Sequence, residues 1–132
     1  MKIGELANKA EVNIDTVRYY ERQGLLPAPQ RLRSGYRQYE PQDVSRLRFV
    51  RRAKALGFTL TEIRDLLELS SHRDKDMVSM KTAAMQKLDD VEEKLAELTR
   101  IRDGLKTLVA SCPGHGVLEK CPILNALSED AA

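Results

Sequence analysis

Apolar residues at Ile3, Leu6, Ala7 and Ala10 recur at helical spacing and predict a short first helix. Val12 follows, then Asn13, a good N-cap, and a second helix from Ile14 to about Gln23 with Gly24 as its stop. Two short helices joined by a tight turn match the helix-turn-helix pattern. Pro27 and Pro29 then forbid a helix, and the run from Arg31 to Tyr39 predicts a β-hairpin turning at Ser34-Gly35. Pro41 suits the first position of a third helix that runs to Leu56 and stops at Gly57. Thr59-Leu60-Thr61-Glu62 fits a capping box for a fourth helix ending near Leu69. The polar run from Ser70 to Asp76 reads as a hinge.

From Met77 to Val109 the chain has no Pro and one Gly. Leu88, Val91, Leu95, Leu98, Ile101, Leu105 and Leu108 are spaced by three and four, which predicts a single helix roughly 50 Å long. So long a seam has too little chain around it to be buried alone, so it predicts pairing with a second copy. Arg102 interrupts a strict heptad, and a long regular coiled coil is not expected.

Charge sharpens this division. The 132-residue chain carries a net +2, but the excess is uneven. Residues 1 to 69 hold 13 Lys/Arg against 9 Asp/Glu, while residues 70 to 132 hold 9 against 11. Between Arg18 and Lys54 the count is 10 to 3. A basic front half suggests a polyanion-binding head, with Arg18, Tyr19 and Tyr20 on the second helix, Arg31, Tyr36 and Arg37 on the hairpin, and Lys54 on the third helix. Arg31, Arg33 and Arg37 interleave with Tyr36 and Tyr39, so that all five read as one basic, aromatic wing. No stretch approaches the roughly 18 apolar residues of a membrane span. No signal peptide pattern is visible either, and a cytoplasmic setting is expected.

The chemistry concentrates near the end, at Cys112 and Cys121, the chain's two cysteines. Two thiolates on one short loop suit a soft ion such as Cu(I), Ag(I), Hg(II) or Zn(II). Pro122 at the first position of an apolar run puts Cys121 at a helix start, where the anionic thiolate is favoured. Two buried apolar cysteines, or a disulfide, would also account for the pair, although disulfides rarely persist in a cytosol. No Ser/His/Asp set, carboxylate pair or phosphate-binding Gly loop accompanies them, so an enzyme is not expected. A metal-storage or chaperone protein would explain the cysteines but leave the basic wing without a role.

The segments Met1–Ala7, Thr16–Glu21, Gly24–Leu26, Ser34–Tyr39 and Ala55–Ile63, taken in order, resemble the MerR family of bacterial transcription regulators. The likeness extends over nearly the whole chain. It implies a mainly α protein: a winged helix-turn-helix DNA-binding head over residues 1–69, a hinge over 70–76, and a dimerisation helix over 77–110. That helix would pair as an antiparallel coiled coil in a homodimer, and residues 111–132 would form a metal-binding loop, short helix and tail. It further implies binding to promoter DNA whose distortion, on effector binding, lets RNA polymerase engage and activates metal-resistance or efflux genes.

Within that family the short end of this chain resembles the metal-responsive branch. Mercury-, zinc-, cadmium- and lead-sensing members usually place a third cysteine at the start of the long helix, where this chain has Met77. Copper-, silver- and gold-sensing members use two loop cysteines alone. On that ground the resemblance implies Cu(I), with Ag(I) and Au(I) beside it, held by Cys112 and Cys121. The loop nevertheless has the mercury- and zinc-type length, one residue longer than the copper type. Hg(II) or Zn(II) is therefore the alternative, with His115 and Met77 as further candidate ligands.

Overall fold

A computed structural model of the protein describes residues 1–129 except Leu32, Ser34 and Tyr36, and leaves aside the side chains of Gln30, Arg31 and Arg37. The expected hairpin corner at Ser34, and the expected DNA contacts of Tyr36 and of the Arg31 and Arg37 side chains, thus lie outside the described residues. The chain forms two compact units, Met1–Lys87 and Leu88–Ala132.

The first unit opens with α1 (Ile3–Ala10) and α2 (Ile14–Arg22). Glu11 ends α1 in the left-handed region, at φ 59°, a conformation that glycine more often supplies. Asn13 caps α2 as its sequence suggests: its side-chain oxygen accepts from the Thr16 N–H at 2.7 Å and from the Thr16 hydroxyl at 2.8 Å. Two short strands, β1 (Gln30–Arg31) and β2 (Arg37–Gln38), pair antiparallel with Arg31 opposite Arg37, which gives the expected wing. Next come α3 (Pro41–Ala55), with Pro41 at its start, and α4 (Leu60–Ser70). The Thr59 capping box is present in both directions: Glu62 N–H donates to the Thr59 hydroxyl at 3.2 Å, and Thr59 N–H donates to the Glu62 carboxylate at 2.8 Å.

Apolar faces of these helices meet in one core, where Leu6, Val17, Leu25, Leu47, Val50 and Ile63 are wholly buried. Tyr39 corrects the reading of an exposed aromatic wing. It is 1% exposed, its hydroxyl donates to Glu21 at 2.9 Å, and its N–H donates to the Met1 carbonyl at 2.8 Å. A ring with one polar tip satisfied inside the core is the least costly way to bury a tyrosine.

The arginines of α3 are also not the single open face that their count suggests. The Arg46 Nε donates to the Leu25 carbonyl at 2.7 Å, Arg48 to the Lys9 carbonyl at 3.0 Å, and Arg51 pairs with Glu11 at 2.9 Å. These side chains clamp α3 to the α1–α2 pair.

The long helix, α5, runs from Val78 to Ser111 and begins where the Val78 N–H donates to Asp76 at 2.8 Å. Its early part belongs to the first unit, where Lys87 is 8% exposed. The Lys87 ammonium meets the Glu62 carboxylate at 2.8 Å and lies 5.6 Å from the Phe58 ring centre. In the second unit, α5 carries Leu88, Val91, Leu95, Leu98, Ile101, Leu105 and Val109, all exposed in the single chain. An apolar stripe of that length is unusual on a surface that meets only water. A 3-10 turn at Leu118–Lys120 and a short α6 (Pro122–Ser128) complete the unit.

Candidate metal-binding loop and DNA-binding face

Cys112 follows the last residue of α5, and its N–H donates to the Val109 carbonyl at 3.3 Å. Pro113 then turns the chain away from the helix, and Gly114 and Gly116 take positive φ of 81° and 112°. Those angles let so short a segment reverse without strain. The 3-10 turn follows, and the Cys121 N–H donates to the Leu118 carbonyl at 2.9 Å. The loop thereby brings the two sulfurs to 3.9 Å, around a hollow of about 360 Å³ lined by residues such as Cys112, His115, Val117 and Cys121.

Cys121 is the N-cap of α6, with Pro122 in the first turn. The Leu124 N–H is the largest influence on its thiol and holds it below the ordinary cysteine range; the Ile123 N–H and the Cys112 thiol act the same way, against partial burial. Donors aimed at a sulfur favour its anionic, metal-binding form. Both cysteines are free and half-buried.

The other two candidate ligands are placed differently. His115 is exposed, and its Nδ1 lies 3.2 Å from the Pro113 carbonyl. Among the described residues no group of three or more His, Cys, Asp or Glu side chains is gathered to hold an ion, so the structure does not bring His115 into a set with the two sulfurs. Met77 is 81% exposed and directly precedes α5. The donors that do converge are two soft sulfurs, which fit a thiophilic ion and not Ca or Mg.

On the first unit, Arg18 is exposed on α2 and lines a hollow of about 590 Å³ with Ile3, Glu21, Arg22 and Ala28. Tyr19 is 41% exposed. Tyr20 stands apart: it is 8% exposed and belongs to the core, where burial pushes its hydroxyl above the ordinary tyrosine range. Its ring centre lies 5.7 Å from that of Tyr19. Lys54 is exposed in the last turn of α3. Arg22 joins Arg18 on one face, as their separation of four residues on a helix allows. Lys87 had no signal of its own in the sequence, because its partner Glu62 lies on another helix.

A family model for MerR helix-turn-helix regulatory proteins matches residues 1–70, and one described as MerR, DNA binding, matches residues 44–108. The mercuric resistance operon regulatory protein of Bacillus cereus is 42% identical over 126 residues, covering 96% of each chain. Among solved structures, the lead(II) complex of the regulator PbrR691 from Ralstonia metallidurans CH34 matches with a TM-score of 0.87 and 37% identity, over 97% of this chain and 99% of that one. The mercury(II) complex of the dual-function regulator MerR from Bacillus megaterium MB1 matches with a TM-score of 0.73 and 39% identity, over 98% and 100%. The chain belongs to the MerR family of helix-turn-helix transcription regulators, which bind DNA and are not enzymes.

Proposed function

We propose that the protein is a homodimeric, metal-responsive regulator that binds promoter DNA and acts on RNA polymerase there. Its effector is a divalent thiophilic ion of the Hg(II), Pb(II) or Zn(II) kind, held by Cys112 and Cys121. What carries the choice of ion is that similar chains hold mercury(II) and lead(II) in their solved structures, while the two sulfurs that meet at 3.9 Å mark where a thiophilic ion would be held. Cu(I), Ag(I) or Au(I), the first expectation from two cysteines without a third, is less well supported than a divalent ion. The loop length favours the same reading.

In this reading the two thiolates neutralise a divalent charge, and the ion would cross-link the end of α5 to the start of α6. The exposed stripe on α5 is the surface that a second copy covers. Arg18, Tyr19 and Lys54 meet phosphate, joined by Arg31, Tyr36 and Arg37 on the wing. In vitro transcription at buffered free metal tests the choice: Hg(II), Pb(II) or Zn(II) should activate at lower free concentration than Cu(I) or Ag(I). The reverse order would restore the monovalent reading.

A further inference from the structure

Two free thiols 3.9 Å apart on a loop that holds no other cysteine can do chemistry without an ion. A disulfide needs the sulfurs at about 2.05 Å, so they must close by roughly 1.9 Å, which side-chain rotation and a small loop adjustment can supply. Gly114 and Gly116, both at positive φ, lie between the cysteines and leave that stretch of backbone unbraced by side chains. Few residues separate the two thiols, so closing the ring costs little chain entropy. Both sulfurs are half-buried, so a small oxidant can reach them.

We propose that Cys112 and Cys121 form a reversible intramolecular disulfide on exposure to hydrogen peroxide, and that this oxidation disarms the metal site. One thiolate attacks the peroxide, the O–O bond breaks, and a sulfenic acid and hydroxide form. The second thiol then displaces the sulfenic oxygen as water, making the S–S bond. In sum two thiols and one peroxide give one disulfide and two waters, with the sulfurs oxidised by two electrons and the peroxide reduced by two. The electron pairs consumed are those that a metal would use, so oxidation and metal binding exclude each other. The basic face of the first unit contains no cysteine and is untouched by this chemistry.

The disulfide itself does not depend on the function proposed above; only its consequence for metal sensing does. Reduced, metal-free protein treated with hydrogen peroxide should lose two hydrogen masses, and peptide mapping should join Cys112 to Cys121 within one chain. Dithiothreitol should reverse the change, and operator affinity should stay the same before and after. Zn(II)-loaded protein should oxidise about tenfold more slowly, because its thiolates are engaged. Cys112→Ser should halt at a sulfenic acid on Cys121 that dimedone traps. Oxidation straight to sulfinic acid, or disulfides only between chains, would overturn the proposal. If the disulfide forms but the reduced protein takes up neither Zn(II) nor Hg(II), the metal reading falls while the redox chemistry stands.

Discussion

Arg18 and Arg46 carry the same charge but answer to different partners. Arg18 stands exposed beside a hollow on α2, whereas Arg46 donates to the Leu25 carbonyl at 2.7 Å. Arg18→Ala should weaken operator binding and lower its log–log salt slope by about one unit, with little change in melting temperature. Arg46→Ala should do the opposite, costing about 2 kcal/mol of stability through a lost charge-assisted hydrogen bond, which thermal melts of the two variants separate. A sequence shows the charge of an arginine but not the distant carbonyl that it meets, so the basic count between Arg18 and Lys54 overstates the free surface. Tyr39 and Tyr20 were misplaced for a similar reason, since a tyrosine can either bury its ring or present it. Glu62 adds a test in pH. The Lys87 ammonium, and next the Thr59 N–H, hold its carboxyl at about 2, against an ordinary 4.5. A folded value below the unfolded one means that the stabilisation is complete above about 4.5 and fades as pH falls toward about 2. The gap in melting temperature between the protein and Glu62→Gln should therefore shrink steadily across that window. A gap that stays constant down to pH 2 would remove the ion pair from the account.

Helices were the most legible elements, because their ends are written in local chemistry. Asn13, Pro41, Thr59 and Pro122 each mark a start that the structure reproduces. Gly24 and Gly57 take positive φ just beyond α2 and α3. The end of α1 was harder to read, since Glu11 adopts a left-handed conformation with a side chain that gives no such signal. The seam of α5 was visible as a pattern, yet what covers it is not a property of one chain. Leu95 and Leu98 are 58% and 60% exposed, values that suit a surface closed by a partner. If a second copy covers them, each Leu→Ala change removes about 2–5 kcal/mol of buried packing. The double variant Leu95→Ala, Leu98→Ala should then sediment as a monomer at micromolar concentration, and its operator binding should fall because two linked heads no longer bind together. A wild-type protein that is itself monomeric under those conditions would refute the pairing.

At the scale of the whole molecule, α5 is the one element shared by both compact units, and it ends where the cysteine loop begins. The two cysteines were legible as residues, but the approach of their sulfurs to 3.9 Å was not. That approach depends on how Pro113, the two glycines and the 3-10 turn fold the loop, which no spacing rule encodes. If the loop is the sensor and the first unit the reader, binding and response must separate genetically. Cys112→Ser and Cys121→Ser should bind the operator with unchanged affinity, since the residues proposed to face DNA lie far away in sequence and contain no thiol. Each should fail to activate transcription, because one remaining thiolate cannot close a chelate. Met77→Cys probes the same logic from the other side. Met77 is 81% exposed, so the substitution disturbs little packing, and it adds a thiolate at the position where the family resemblance implies a third cysteine in divalent sensors. If a second copy brings that position to the loop, the variant should bind Pb(II) and Hg(II) more tightly and show stronger thiolate-to-metal charge-transfer absorption. The added absorption should vanish in the Met77→Cys, Cys112→Ser, Cys121→Ser triple variant, because the introduced thiolate shares its ion with the loop. Charge transfer that survives in that triple variant would mean that the introduced thiolate binds metal by itself, and the shared site would have to be abandoned.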